Sequence, residues 1–169
     1  MRANHVNPTE EVKLHLIQLA HKHLMTLSLT VGIDTMSVIG TGPLGLRRIV
    51  PVTGGTFSGG RLKGTVVPDG ADWVINRPDG VMMIDVRLTL KTDDGALIYL
   101  SYQGRFLANA DTMAQLAKGH LIDSDDYSLA MTAKFECGDD RYSWLNNIIA
   151  AGTGEHTVNG PIYSIFEIG

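Results

Sequence analysis

Cysteine is almost absent from this chain, which contains only Cys137. A single thiol cannot form an internal disulfide, and it cannot supply the closely spaced cysteine and histidine ligands of a structural zinc site. We therefore predict a fold without disulfides or structural zinc, in which Cys137 is an inert thiol. The lack of disulfides is typical of a reducing compartment, and a cytoplasmic location is expected.

Long apolar segments and extended basic segments are also lacking. No stretch approaches the ~20 apolar residues that a membrane-spanning helix needs, and no basic segment followed by an apolar run marks a secretion signal. The net charge is −4 and the pI is about 5.8, and the densest basic clusters, Arg47-Arg48 and His21–His23, are short. Nucleic acids and membranes are therefore not expected as partners, because both attract extended Lys- and Arg-rich surfaces.

Apolar residues and glycine are plentiful. Of the 169 residues, 44% are apolar and 19 are glycines spread along the chain, which is sufficient for one domain, 1–169, with a single core. Alternating segments bounded by turn residues predict many short strands and little helix, which favours an antiparallel sandwich or barrel. The predicted strands are Thr26–Gly32, Leu62–Val67, Trp73–Arg77, Val81–Lys91, Leu97–Phe106, Ser128–Glu136 and Pro161–Ile168.

Two segments have helical patterns. The first is predicted over Pro8–His23, within an N-terminal extension at residues 1–23, because acidic residues follow the proline and apolar residues recur on one stripe. The second is short and covers Asp111–Lys118, with Asp111 as its N-cap. His21 and His23 do not face each other on such a helix, so no metal site is predicted there.

The stretch Gly40–Gly45, GTGPLG, has the spacing G-x-G-x-x-G of a dinucleotide-binding turn. That turn requires a long helix after the glycines to bind the pyrophosphate, and an acidic residue about 20 positions later to bind the ribose. Here only LRRIV separates the motif from Pro51, and no acidic residue lies between Gly45 and Asp69. The stretch is therefore predicted to connect two strands, and no cofactor is expected.

The segment Val81–Phe106 carries the most informative charged residues. Asp94-Gly95 is typical of a two-residue hairpin turn, and that turn pairs Arg87 with Tyr102. Asp85, Arg87 and Tyr102 would then share one face, either as a solvated surface with an ion pair or as a polar cluster in a barrel mouth. The predicted face comprises Met83, Asp85, Arg87, Thr89, Leu100 and Tyr102, and the opposite face comprises Ile84, Val86, Leu88, Leu90, Tyr99, Ser101 and Gln103.

A carboxylate, an indole and a guanidinium lie just upstream of this hairpin. Asp72 precedes Trp73 directly, and Arg77 follows on the same predicted side of the strand as Trp73. An aromatic ring beside a guanidinium suits a phenolic or carboxylate ligand, and it suits ordinary packing at a barrel end equally well.

Three blocks of the chain, Arg47–Trp73, Arg77–Gly104 and Arg141–Gly154, resemble the family known as domain of unknown function 3237. The resemblance covers Leu24–Gly169 and implies a single antiparallel β-barrel, lipocalin-like in size, with a helix or two and often dimeric. It also implies a strand over Trp144–Ala151. The chain departs from the family by having Gly60 where proline is usual. Its matching motifs are Gly54–Phe57, Asp72-Trp73, Asp85 with Arg87, Tyr102, and Tyr142 with Trp144–Asn146.

The function expected from these residues is cofactor-free acid/base chemistry on a small aromatic, phenolic or carbonyl metabolite, of the isomerase, cyclase or lyase type. Asp85 or Asp72 would act as general base, Tyr102 or Tyr142 as general acid, and Arg87 would bind a carboxylate or phenolate oxygen. The other candidate ligand-binding residues are Trp73, Phe57, Arg77, Trp144 and Asn146. No metal is expected, and the G-x-S-x-G motif of serine hydrolases is missing.

Two other functions stay open. A carrier or sensor would bind a small hydrophobic or aromatic ligand in the same barrel without changing it, and a structural role would act through a sheet edge. For the enzyme and for the carrier or sensor, the expected partner is a small molecule. A homodimer is compatible with the resemblance.

Overall fold

The computed structural model describes residues 18–169, which form ten antiparallel strands and one α-helix. Short 3₁₀ segments cover Ile33–Thr35, Ser124–Asp126 and Asp140–Asn147. The strands are β1 (His21–Val31), β2 (Ser37–Gly42), β3 (Gly45–Ser58), β4 (Lys63–Asp72), β5 (Ile75–Asn76), β6 (Met82–Thr92), β7 (Leu97–Ala108), β8 (Tyr127–Glu136), β9 (Ile149–His156) and β10 (Pro161–Ile168), and the helix is α1 (Ala110–Ala117).

Eight of these strands close into a barrel. The order around the ring is β1, β10, β9, β8, β7, β6, β4 and β3, and β3 pairs with β1 to complete it. The two remaining strands are additions: β2 pairs with β3, and β5 pairs with β3 and β6. The predicted antiparallel barrel is therefore confirmed. Closure removes most of the unpaired strand edges that an open sheet would expose.

The barrel interior is filled by side chains at alternate strand positions, as expected for an eight-stranded barrel. On β8, for example, Leu129, Met131, Ala133 and Phe135 are buried, and the residues between them are exposed. The predicted strands all lie within observed strands or overlap them. Alternation was a reliable signal here because one face of each strand meets the core and the other meets water.

One end of the barrel is closed by the 3₁₀ segment Asp140–Asn147, whose Leu145 is fully buried. The strand predicted over Trp144–Ala151 is therefore wrong in its first half, because β9 begins only at Ile149. The cause is local side-chain hydrogen bonding. The Asn146 amide accepts a hydrogen bond from the Cys137 N–H at 2.7 Å and donates one to the Cys137 carbonyl at 2.9 Å, which holds the segment in a turn.

The glycine-rich stretch Gly40–Gly45 comprises the end of β2, the turn Pro43-Leu44 and the first residue of β3, so its prediction as a connection between strands is confirmed. Gly40 has φ +109° and Gly45 has φ +123°, values that L side chains rarely adopt. An added Cβ at Gly45 would also lie 2.2 Å from the Asn76 carbonyl oxygen. The glycines therefore serve the turn and its close approach to β5.

The short helix is confirmed as α1, but its cap is not Asp111. Asn109 is the N-cap, and its Oδ1 accepts a hydrogen bond from the Thr112 N–H at 2.8 Å. Met113 and Leu116 of α1 pack against the barrel core. Within residues 18–169, no helix has the length and apolar character needed to cross a membrane.

The predicted N-terminal helix lies outside the described residues up to position 17, and its last residues are not helical. His21–His23 begin β1 and pair with the end of β10, where His23 faces Phe166. Both imidazoles therefore stand on one face of a strand, each with its ring centroid 5.6 Å from that of Phe166. Pairing with β10 overrides the helical pattern of the sequence at these positions.

Candidate functional site

The hairpin between β6 and β7 has a register one residue away from the predicted one. Its loop contains three residues, Asp93–Gly95, because Thr92 pairs with Ala96 through a backbone hydrogen bond of 2.9 Å. Gly95 has φ +91°, as expected when a turn is followed by a residue in the left-handed region. The Thr92 hydroxyl, which accepts a hydrogen bond from the Ala96 N–H at 2.8 Å, helps to hold this loop.

This register separates the three residues that were predicted to share a face. Val86 pairs with Tyr102, and Arg87 pairs with Ser101. Asp85 and Arg87 therefore point outward, where their side chains are 34% and 46% exposed, whereas Tyr102 is buried in the barrel. The predicted cluster of Asp85, Arg87 and Tyr102 is wrong, because a slip of one residue exchanges the two faces of a strand.

Asp85 and Arg87 belong instead to a cluster on the outer surface. The Arg87 Nη2 lies 3.4 Å from the Asp85 Oδ2, and the Arg87 guanidinium carbon lies 4.9 Å from the centre of the Trp73 ring. A pair that is this exposed contributes little to stability, since water screens the charges. Of the two open interpretations, the geometry therefore favours the solvated ion pair.

We expect Arg87→Gln to lower the free energy of unfolding by less than about 1 kcal/mol, because both charged groups keep access to water. Urea unfolding of the variant and the wild-type protein measures this difference. A loss of about 3–5 kcal/mol would instead indicate a buried pair and would contradict the outward orientation.

A different set of polar residues meets inside the barrel. Asp72 on β4 pairs with Val86 on β6, which pairs with Tyr102 on β7, so the three side chains form a row on the inner face. Tyr163 on β10 approaches the row from across the barrel, with its ring centroid 5.2 Å from that of Tyr102 in an edge-to-face arrangement. Of the predicted catalytic residues, the structure thus brings Asp72 and Tyr102 together.

The Asp72 carboxyl lies where β4 ends. Its Oδ1 accepts a hydrogen bond from the Asp85 N–H at 3.0 Å, a donor that would otherwise bond to the carbonyl of the paired residue Trp73. The Trp73 carbonyl instead accepts a hydrogen bond from Arg47 Nη1 at 2.5 Å. The carboxyl of Asp72 is thereby held against the β-sheet backbone at the edge of the barrel interior.

Burial raises the pKa of Asp72 from 3.8 to about 7. Loss of hydration is the largest cause, and the negative charge of Asp85 acts in the same direction. The hydrogen bond from the Asp85 N–H and the charges of Arg48 and Arg47 lower the pKa but do not offset the loss of hydration. Asp72 therefore exchanges its proton near neutral pH.

The two phenols beside Asp72 stay protonated. Burial raises the pKa of Tyr102 well above 10, and the neighbouring Tyr163 and Asp72 raise it further. Burial also raises the pKa of Tyr163. The Tyr163 ring packs on Gly154, where an added Cβ would lie 2.7 Å from Tyr163 Cδ1, so a side chain at Gly154 would displace the ring. Both phenols act as neutral hydrogen-bonding groups at physiological pH.

Arg48 is the inner cation that the sequence analysis missed. It alternates with the buried residues Val50 and Val52 on β3 and therefore points inward. Its Nη2 donates hydrogen bonds to Asn76 Oδ1 at 2.5 Å and to Met82 Sδ at 3.8 Å. The alternation of β3 was the available signal, but Arg47-Arg48 was considered only as a short basic cluster.

The remaining predicted ligand-binding residues are not among the groups that act on the pKa of Asp72. Phe57 is buried in the hydrophobic core, and Arg77 pairs with Asp79 in the turn between β5 and β6. Tyr142 and Trp144 lie at the closed end of the barrel with Asn146, which is held by Cys137.

The two aromatic residues at the closed end already have partners. The Tyr142 hydroxyl hydrogen-bonds to the Asp94 carboxylate at 3.1 Å. The Arg61 guanidinium carbon lies 3.7 Å from the centre of the Trp144 ring, and Arg61 also forms an ion pair with Glu167. These contacts close the barrel end, and the ligand-binding roles predicted for Tyr142 and Trp144 remain untested.

A cleft on the surface is a separate feature. It has a volume of about 590 Å³ and lies on the outer side of the sheet, lined by residues that include Thr89, Tyr99 and Cys137. None of the inner polar residues lines it. We place the candidate site at Asp72 rather than in this cleft, because Asp72 combines partial exposure, a strongly shifted pKa and several converging polar groups.

Comparison with known proteins places this arrangement in a family. Residues 20–168 match the family model described as "Protein of unknown function (DUF3237)". A UPF0311 protein of Rhodopseudomonas palustris is 27% identical over 148 residues, which is 87% of this chain and 95% of that protein.

Solved structures share the barrel. A beta-barrel like protein from Acinetobacter baumannii is 37% identical, with a TM-score of 0.79 over 93% of this chain and 100% of that one. A structure described as an enzyme from Penicillium herquei shares the fold at 20% identity, with a TM-score of 0.67 over 89% of this chain and 95% of that one. The family match spans nearly all of the described residues and agrees with the resemblance noted in the sequence, so the chain belongs to the DUF3237 family of proteins of unknown function.

Proposed function

We propose that this protein is a cofactor-free acid/base enzyme in which Asp72 exchanges a proton with a small aromatic, phenolic or carbonyl metabolite. The observation that carries the proposal is the position of Asp72 on the inner face, in a row with Tyr102 and near Tyr163, where burial raises the pKa of its carboxyl group to about 7. Strongly shifted carboxyl groups of this kind are typical of functional sites.

A pKa near 7 suits proton transfer in both directions. At neutral pH about half of the Asp72 side chains are ionised, so the same group can remove a proton and return it. An ordinary aspartate would be ionised but three units less basic, and it would hold a proton on too few molecules to act as an acid. Isomerisation, dehydration and cyclisation all require this combination.

The phenols of Tyr102 and Tyr163 lie deeper in the barrel than Asp72. Tyr102 and Tyr163 are buried, whereas Asp72 is partly exposed, so a substrate would meet the carboxyl group first. Both phenols stay protonated, and the aromatic surroundings keep the local dielectric constant low. We assign Tyr102 the role of a hydrogen-bond donor that stabilises negative charge near Asp72.

The test is turnover of a panel of phenolic acids and ketones, followed by mass spectrometry. We expect Asp72→Asn to lower kcat by about 10²–10⁴-fold on any compound that is converted, because the exchangeable proton is lost. The wild-type rate should change with an inflection near pH 7. Asp69→Asn, a matched change at an exposed position of β4, should have no effect.

Binding of panel compounds without conversion would contradict the enzyme and favour the carrier or sensor. Conversion that is unchanged in Asp72→Asn would contradict the assignment of Asp72. Tyr102→Phe distinguishes hydrogen-bond donation by Tyr102 from proton exchange by Asp72, since it removes the hydroxyl while keeping the ring. We expect it to lower kcat less than Asp72→Asn does.

A further inference from the structure

Arg48 carries a buried hydrogen-bond donor that no group of the described part of the chain accepts. Its Nε is buried and forms no hydrogen bond within residues 18–169, although its Nη2 is held by Asn76 and Met82. A buried donor on a permanently charged side chain is costly to leave without an acceptor, and such groups are rare in folded proteins. This donor therefore calls for an explanation beyond packing.

The charges around Arg48 are also unbalanced. Among the described residues no carboxylate forms an ion pair with Arg48, and Asp72 is the acidic group nearby on the inner face. Asp85, the carboxylate whose charge acts on Asp72, points outward and pairs with Arg87. The inner side of this strand end thus holds a cation beside a carboxyl group that is largely neutral below pH 7.

We propose that Arg48 binds an anionic oxygen of the ligand, a carboxylate or a phenolate, and thereby selects acidic aromatic compounds at the Asp72 site. This inference rests on the proposed function, because it names the class of substrate for the same site. A guanidinium recognises a carboxylate through charge-assisted hydrogen bonds, which a neutral amide of the same shape cannot replace.

In this arrangement Arg48 binds the anionic oxygen of the ligand and Asp72 exchanges the proton. Both residues are partly exposed, whereas Tyr102 and Tyr163 are buried, so a ligand at this strand end would meet the guanidinium and the carboxyl group before the phenols. Asn76 and Met82 hold the guanidinium in place through Nη2. An anion held there would lie next to the proton that Asp72 exchanges.

The test compares two ligands of nearly identical shape, 4-hydroxybenzoate and 4-hydroxybenzamide, by isothermal titration calorimetry at pH 6. We expect the wild-type protein to bind the benzoate at least about tenfold more tightly than the benzamide, a difference of about 1.4 kcal/mol in binding free energy. Arg48→Gln should lose this preference. Arg105→Gln, a change of the same type at an exposed outer position of β7, should keep it.

If Arg48→Gln misfolds, a second variant and a measurement on the wild-type protein still test the proposal. Arg48→Lys keeps a positive charge and should retain part of the preference, and in the wild-type protein the ¹⁵N resonance of Arg48 Nε should shift when 4-hydroxybenzoate is added. Equal affinity for the two probes, no saturable binding of either, or a preference that survives in Arg48→Gln would each overturn the inference.

These measurements record binding without turnover, so they separate the inference from the proposed function. Arg48-dependent binding of the benzoate together with no conversion of any panel compound would support the inference and contradict the enzyme. Asp72-dependent conversion of compounds that lack an anionic oxygen would do the reverse.

Discussion

The stability gained by replacing Asp72 with asparagine, relative to the wild type, is expected to grow by about 4 kcal/mol as the pH rises from 4 to 8. The pKa of Asp72 is about 7 in the folded protein and 3.8 in the unfolded chain. As the pH rises between these values, the unfolded chain releases the proton while the folded protein retains it. The stability of the wild type therefore falls over this window and stays low above pH 7. Asparagine does not ionise, so the variant does not lose this part of its stability as the pH rises.

The measurement is urea unfolding of the wild type and Asp72→Asn at several pH values between 4 and 8. Asparagine keeps an oxygen that can accept the hydrogen bond from the Asp85 N–H, so the local structure is preserved. The exposed control Asp69→Asn should follow the wild-type curve throughout. A constant difference between Asp72→Asn and the wild type over this range would show that the carboxyl group is hydrated.

Replacing Gly55 with alanine should destabilise the barrel by about 3–5 kcal/mol, because a close contact and a strained backbone act together. Gly55 pairs with Leu29 where β3 closes the ring against β1, and its φ is +147°. An added Cβ would lie 2.2 Å from the Ser28 carbonyl oxygen, which is backbone and cannot move away without opening the ring.

Gly54→Ala is the matched control for this change. Gly54 has φ +151°, so alanine meets similar backbone strain, but the nearest atom to an added Cβ is the Thr30 side-chain oxygen at 3.4 Å. We expect Gly54→Ala to lower the free energy of unfolding by about 1–3 kcal/mol, clearly less than Gly55→Ala does. Equal losses in the two variants would contradict the tight β1–β3 closure. Thermal and urea unfolding measure both.

The barrel was largely predictable from the sequence, because its strands alternate between core and water. Segments such as Ser128–Glu136 have an apolar residue at every second position, and the structure buries those residues. The ring closure is different, since it joins β1 and β3 over more than twenty residues through Leu29 and Gly55. Local pattern does not specify such a contact, and the resemblance to a barrel family supplied that part of the prediction.

The candidate site was only partly predictable, and the hairpin of β6 and β7 shows why. Asp94-Gly95 was interpreted as a two-residue turn, whereas the loop has three residues and the Thr92 hydroxyl helps to hold it. The apolar pattern contained the correct register, because matching Leu88 with Leu100 and Leu90 with Ile98 places all four inside. A turn motif was given more weight than the burial pattern, and the face carrying Tyr102 was misassigned.

The inner cation and the second phenol were missed for another reason. Arg48 lies near Asp72 because β3 pairs with β4, with Val50 opposite Asp72, whereas Tyr163 on the distant strand β10 is brought near by the curvature of the closed sheet. Asp72 itself was identified from its position beside Trp73, but its burial depends on its row with Val86 and Tyr102. A residue such as Tyr163, which meets Asp72 across the barrel, leaves no spacing signal along the chain.

The most direct test of the account is the titration of the Asp72 carboxyl group itself. Protein labelled with ¹³C at aspartate Cγ is titrated by NMR between pH 3 and pH 9, and Asp72→Asn identifies the resonance. We predict a midpoint near pH 7, as burial beside Tyr102 requires. A midpoint near pH 4 would mean that water surrounds the carboxyl group, and it would contradict both the buried site and the chemistry proposed for it.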